Sequence, residues 1–334
     1  MIESALIVQT GFLGDAVLST ALIGALRRTS PETRIGFLVR REYGELFRHD
    51  TSIDSLLTID KKDGDDRRRV RDAIEAEGFH LALLPHRSSA TTLMAYRAGI
   101  PERVGYRQSG LSPLHTTRVD YRFGAREIDR QIDLLRSLGL HHEPSQTVTR
   151  LVPDARLSKR IAESFALPDS PLFAIAPGSV WGSKQWRWEG YAEVVRSLRA
   201  EGREVVLIGA PSERELCDRI AARAGLNALR NLAGRLSLGE LVALIARCGL
   251  LLTNDSGPLH IAEALSVPVT AIFGPTVPAF GFAPYRHGSS LVERLDLPCR
   301  PCDIHGRQVC PLGHHRCMAE ISAKEVLAHI HARS

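Results

Sequence analysis

Short runs of consecutive apolar residues alternate along the chain with stretches whose apolar positions recur every three to four residues. Ala5–Val8, Ile35–Val39, Leu56–Ile59 and Leu81–Leu84 are apolar nearly throughout, which predicts strands buried on both faces. Helical spacing fits the intervals 15–28, 66–77 and 89–98, and again 126–138, where Ile128, Ile132, Leu135 and Leu138 fall on one face. The pattern then restarts. Strands are predicted at 172–176, 204–209, 249–253 and 267–273, and helices at 189–201, 212–224, 237–248 and 322–331. Ser237 with Glu240 three residues on forms a capping box at the start of one of them.

Strand–helix alternation with continuously apolar strands predicts an α/β protein with buried parallel sheets. Two such series imply two doubly wound domains, and 334 residues suit that count at roughly 100–200 residues per domain. Pro168 to Pro171 marks the expected junction, giving domains 1–168 and 169–334. Hydrophobic residues make up 44% of the chain and charged residues 24%, so disorder is not expected, and no apolar run has the length of a bilayer span. The start, Met1-Ile2-Glu3-Ser4, lacks the basic and apolar regions of a secretion signal, which predicts a cytoplasmic protein.

The net charge of +5 changes this picture only locally. Between Pro85 and Arg126 seven arginines (87, 97, 103, 107, 118, 122 and 126) face only Glu102 and Asp120, so this segment alone carries +5. Guanidinium forks suit phosphates and carboxylates. Both a solvated basic face and a site for an anionic ligand fit the run; nucleic acid is not implied.

In doubly wound sheets ligands bind beyond the carboxyl ends of the strands. Three strand-end loops carry the candidate chemistry. Gln9–Asp15 opens the first helix; it is neither GxGxxG nor a Walker loop, and Asp15 reads either as a helix cap or as a general base. In Pro177–Trp186, Gly178, Ser179 and Ser183 offer amide and hydroxyl donors and Lys184, one of five lysines, a point charge, as a diphosphate cradle requires. Thr253–His260 places Asp255, Ser256 and Gly257 at a helix start, with His260 just inside it.

Gly14-Asp15, the Gly178–Trp186 loop, Gly209-Ala210 with Glu213, Leu232-Ala233-Gly234, Asn254–His260 and Phe273–Thr276 recur in an order that resembles the bacterial lipopolysaccharide heptosyltransferases, a glycosyltransferase family. The resemblance runs from Ala5 to about residue 330, and the tail Pro298–Met318 is similar to that of members adding the second heptose. It implies a GT-B fold, two Rossmann-like domains facing a cleft, with acceptor bound by the N-terminal domain and nucleotide-sugar by the C-terminal one. It implies inverting transfer from ADP-L-glycero-D-manno-heptose to a Kdo-containing lipid A inner core, without a catalytic divalent metal. Carried over by motif, Asp15 is the catalytic base and Lys184 the phosphate lysine. Ser179, Ser183, Asp255, Ser256, Gly257 and His260 belong to the donor site, with Glu213, or its neighbour Glu215, on the ribose. Gly14, Arg87, Arg103 and Arg107 are expected on the acceptor side. The arginine-rich segment also suggests loose contact with the anionic inner face of the cytoplasmic membrane. Alternative readings are a first-heptose or protein heptosyltransferase of the same fold, an epimerase, and a non-catalytic nucleotide-sugar binder.

Four of the six cysteines, Cys299, Cys302, Cys310 and Cys317, fall within the segment 298–318. A C-x₂-C knuckle followed by two further thiols suits a structural zinc or iron, although the interval from Cys302 to Cys310 is shorter than in zinc ribbons. Free thiols and a disulfide are the other two readings.

Overall fold

The computed structural model describes residues 2–143 and 146–332, which divide into two compact units, Met1–Val152 and Pro153–Ser334. The first unit contains β1 (Ser4–Gln9), α1 (Leu13–Leu18), α2 (Thr20–Thr29), β2 (Arg34–Arg40), β3 (Ser55–Ile59), α3 (Gly64–Glu77), β4 (Leu81–Leu84), α4 (Ser89–Arg97), β5 (Glu102–Tyr106), β6 (Thr117–Val119) and α5 (Glu127–Arg136). Its strands form one sheet in the order β3-β2-β1-β4-β5-β6, parallel throughout. Every residue of β1 and β4 is buried, which is why these central strands read as unbroken apolar runs. The strand order reverses between β1 and β4, so the loop after β1 opens at the switch point where doubly wound sheets bind ligands. The helix expected over 15–28 is interrupted at Ser19, whose hydroxyl donates to the Asp15 carbonyl at 3.0 Å.

The second unit contains α6 (Ala155–Ser164), β7 (Leu172–Ala176), α7 (Trp188–Ala200), β8 (Val205–Leu207), α8 (Arg214–Ala224), α9 (Leu238–Ile245), β9 (Cys248–Asn254), α10 (Gly257–Ala264), β10 (Val269–Phe273), β11 (Ser290–Glu293), α11 (Arg316–Ala319) and α12 (Ala323–His331). All five strands are parallel, in the order β11-β10-β9-β7-β8. The switch lies between β7 and β9, so the loops after these two strands share one ligand-binding edge. A core of Trp186, Tyr191, Val194, Leu198, Ile220, Val326 and Ile330 joins α7, α8 and α12 to one face of the sheet. The boundary falls at Val152–Pro153 rather than at Pro168–Pro171, because α6 packs on α9 and Arg160 pairs with Glu240 at 2.8 Å. Among the described residues no helix is long and apolar enough to cross a membrane.

Candidate active site

In the second unit, the loops after β7 and β9 are knotted together by one buried side chain. Asn254 accepts the Trp186 amide at 3.1 Å and the Tyr191 hydroxyl at 2.9 Å, and its amide donates to the carbonyls of Pro177 at 2.8 Å and Gly178 at 3.2 Å. All four polar valences of the amide are used, which fixes the relative position of the two loops. An Asn that ends an otherwise apolar strand was the available signal for this role.

Lys184, expected as a point charge for phosphate, lies buried with its ammonium 2.6 Å from Asp255 Oδ2. Thr276 donates to the same carboxylate oxygen at 2.7 Å. Asp255 is thereby neutralised and aims Lys184, whose ammonium has three donors and spends one here. Ser256 lies next to it, its hydroxyl 3.0 Å from Thr253 Oγ1, and Gly257 begins α10. His260, one turn into α10, meets the Phe282 ring edge-on at 6.3 Å. Burial pushes its pKa down to about 4, so the imidazole is neutral at pH 7.

Glu213 lies against the turn after β7 at the same edge. Its Oε2 accepts the Ala210 amide at 2.7 Å, and burial raises its pKa. The carboxylate rests directly on Gly178: a Cβ there would stand 1.9 Å from Oε1. Glu215 is exposed on α8, whereas Glu213 is half-buried against Gly178. Ser179 accepts the Trp181 amide at 3.3 Å and is half-buried, whereas Ser183 is buried, its hydroxyl engaged by the Arg307 amide at 2.8 Å.

In the first unit, Asp15 sits in the first turn of α1 beside Gly14, its Oδ2 accepting the Phe12 amide at 3.1 Å. Burial pushes its pKa up to about 7; the negative charge of Glu127 adds to this, while the Phe12 amide, Arg40 and Arg130 oppose it. The cap and base readings are therefore compatible, because the capping bond leaves a carboxylate whose pKa lies at a working pH. Glu127 and Arg130 on α5 escaped sequence reasoning. They form a buried ion pair at 2.7 Å, and Tyr121 donates to Glu127 at 3.0 Å. A Glu and Arg three residues apart in a helix look like a solvated surface pair until the fold buries them.

The three arginines expected on the acceptor side separate. Arg87, just past β4, stacks over the Tyr121 ring at 4.4 Å and the Phe123 ring at 5.7 Å. Arg107, just past β5, pairs with Asp120 at 3.0 Å. Arg103 lies near the amino end of β5, level with Ala82, and donates to the carbonyls of Leu114 at 2.7 Å and Pro101 at 3.0 Å and to that of Ile100. It is not brought to the end of the sheet that carries Asp15.

All six cysteines carry free thiols. Among the described residues no group of three or more His, Cys, Asp or Glu side chains is arranged to hold a metal ion, so Cys299, Cys302, Cys310 and Cys317 do not form the expected clip. The Cys302 thiol donates to the Cys299 carbonyl at 3.0 Å, and burial, with the neighbouring Cys302, pushes the Cys317 thiol up to about 11.

The sequence profile of glycosyltransferase family 9 (heptosyltransferase) matches residues 67–311. The chain belongs to this family. Its sequence is 26% identical to lipopolysaccharide heptosyltransferase 2 of Salmonella typhimurium, over 98% of this chain and 97% of that one. The Escherichia coli K12 enzyme of the same name is likewise 26% identical, with the same shares covered. The solved structure of E. coli ADP-heptose lps heptosyltransferase II superposes with a TM-score of 0.81 at 25% identity, covering 98% of each chain. A family 9 glycosyl transferase from Veillonella parvula gives 0.86 at 23% identity, covering 99% of this chain and 96% of that one. The family 9 protein thus has the GT-B fold expected for it, each unit a doubly wound parallel sheet.

Proposed function

We propose that this glycosyltransferase moves heptose from ADP-heptose to the inner core of lipopolysaccharide, adding the second heptose to heptosyl-Kdo2-lipid A with inversion. The observation that carries the reading is the buried Lys184–Asp255–Thr276 group beside Glu213, in a chain matched from end to end by lipopolysaccharide heptosyltransferase 2. The second unit holds the donor: Glu213 takes the ribose hydroxyls, and Lys184, Ser179, the Ser256–Gly257 amides and the start of α10 take the diphosphate. His260 lies behind them. Negative charge grows on that diphosphate as the bond to the anomeric carbon breaks, and Lys184 supplies the positive charge that a divalent metal supplies elsewhere. The first unit binds the acceptor, with Gly14, Arg87 and Arg107 near the carboxyl ends of its strands. Asp15 removes the proton from the acceptor hydroxyl as its oxygen bonds to the anomeric carbon and ADP departs, a single displacement that inverts the centre. The lipid A acceptor brings the protein to the inner membrane surface, where its excess of arginine favours anionic headgroups.

The test is to incubate the purified protein in EDTA with ADP-heptose and either Kdo2-lipid A or its singly heptosylated form. Mass spectrometry should show one added heptose on the second acceptor only, and Asp15→Asn should lower that turnover by ~10²–10⁴-fold. Transfer to Kdo2-lipid A instead would make it a first-heptose enzyme. ADP-heptose binding without transfer to either acceptor, or with full activity in Asp15→Asn, would overturn the reading.

A further inference from the structure

The segment that carries the four cysteines is strapped across the lysine loop. Ser183 and Arg307 exchange two hydrogen bonds, the Ser183 amide donating to the Arg307 carbonyl at 2.9 Å and the Arg307 amide to Ser183 Oγ at 2.8 Å. Gln308 Nε2 donates to the Val180 carbonyl at 3.0 Å. His315 Nε2 lies 2.7 Å from the Ser183 carbonyl, and because a carbonyl only accepts, this nitrogen carries the proton. Glycines let the two segments touch. Gly306, at φ +93°, lies on Lys184, where a Cβ would come 3.1 Å from Cγ, 3.2 Å from Cε and 3.2 Å from Trp181 Cβ. From the loop side, a Cβ on Gly182 would stand 2.4 Å from the Gln308 carbonyl oxygen.

The root of the strap holds the partner of Lys184 as well. Cys302 donates its amide to the Pro275 carbonyl at 3.0 Å. Arg300, paired with Glu293 at 2.8 Å, donates to the carbonyls of Gly274 and, at 2.9 Å, Thr276. Thr276 is the residue whose hydroxyl binds Asp255. One irregular segment therefore fixes both the stem of Lys184 and the turn that anchors its carboxylate partner.

We propose that residues 300–315 are a positioning element for nucleoside diphosphate binding, with Gly306 and His315 acting through Lys184. Neither residue touches the diphosphate; each sets where the ammonium points. Preorganisation of this kind matters because a charge placed without reorganisation gives the largest return on binding. The proposal rests on the reading of Lys184 as the diphosphate ligand.

Calorimetry of the full chain with ADP tests it. His315→Ala should weaken ADP by about three- to tenfold, since one polar contact to the loop is lost, and His315→Gln, which keeps a donor within reach of the carbonyl, should recover most of the loss. Gly306→Ala should weaken ADP by about tenfold or more, through the strained backbone and the displaced Lys184. In a Lys184→Ala background, His315→Ala should add less than about twofold, because its effect passes through the missing ammonium. Unchanged ADP affinity in His315→Ala overturns the proposal, as does an equal loss with and without Lys184, which marks a merely structural strap. Should Gly306→Ala fail to fold, the His315 pair and the cycle still decide. If Lys184→Ala alone leaves ADP affinity intact, the diphosphate reading itself falls. If Lys184→Ala weakens ADP while the strap variants do not, only the strap proposal falls.

Discussion

Asp15 accepts the Phe12 amide at the start of α1, and in the proposed reaction the same carboxylate is the base. Its pKa of about 7 comes chiefly from burial, with Glu127 raising it and the Phe12 amide, Arg40 and Arg130 holding it down. A group acting as base in this range loses its function when protonated, so kcat/KM should fall with unit slope as pH drops below about 7. Glu127→Gln removes a negative charge that disfavours the ionised form, and should move that limb to lower pH. A limb that stays in place in a pH-rate profile would exclude Asp15 as the titrating base. Stability follows the same linkage with the opposite benefit. A carboxyl whose folded pKa exceeds its ordinary value of 3.8 costs nothing below that value, costs progressively more as pH rises towards 7, and costs a constant amount above it. Asp15→Asn should therefore melt above the parent protein at pH 8 and level with it at pH 4. Asp15 and Lys184 stood out in the sequence as candidates because each lies in a strand-end loop, and Glu213 only through the family resemblance. Glu127 and Arg130 did not, because only the fold carries α5 to within electrostatic reach of residue 15.

At the scale of elements, what could be read was what the core dictates. The central strands β1, β4, β7, β9 and β10 are buried on both faces and announce themselves as apolar runs. Three outer strands escaped. β6 and β11 form sheet edges, and β5, with its sequence Glu-Arg-Val-Gly-Tyr, is paired to one of them. These three strands are short and carry polar residues, and none is buried along its whole length, so the pattern carries little signal. Helix α6 was hidden likewise: of its ten residues only Ile161 is buried. The turn after β7 is the element where sequence and geometry agree most closely, since Gly178 is required by the carboxylate lying on it. Gly178→Ala would put a methyl group within bonding distance of Glu213 Oε1, so the carboxylate must leave. ADP affinity should then fall as far as in Glu213→Ala, and the double variant should be no weaker than either single one. Calorimetry giving additive losses would show that Gly178 acts on something other than Glu213.

Across the whole molecule, an excess of five positive charges says little until each arginine is followed to its partner. In the segment that carries the excess, Arg107, Arg122 and Arg126 pair with Asp120, Asp133 and Asp129 at 2.7–3.0 Å. Arg103 is spent on backbone carbonyls, where it ties β5 to the chain around it. Among the described residues Arg87 has no carboxylate partner, and its guanidinium carbon lies 4.4 Å from the Tyr121 ring centroid and 5.7 Å from that of Phe123. A guanidinium held over aromatic rings keeps N–H groups for an external anion, and such support reduces the entropy lost when that anion binds. The sugar acids and phosphates of an inner-core acceptor are anions of this kind. Arg87→Gln should therefore raise the acceptor KM about tenfold, for loss of a charge-assisted hydrogen bond, and leave the ADP-heptose KM unchanged. Arg103→Gln should do the reverse of what its charge alone suggests, lowering the melting temperature while both KM values stay within about twofold of the parent, because its bonds are internal. Steady-state kinetics with each substrate varied in turn separate the two cases. An acceptor KM that moves with Arg103 and not with Arg87 would show that the acceptor meets the opposite end of the sheet from Asp15, and would remove the basis for assigning either arginine from its place in the fold.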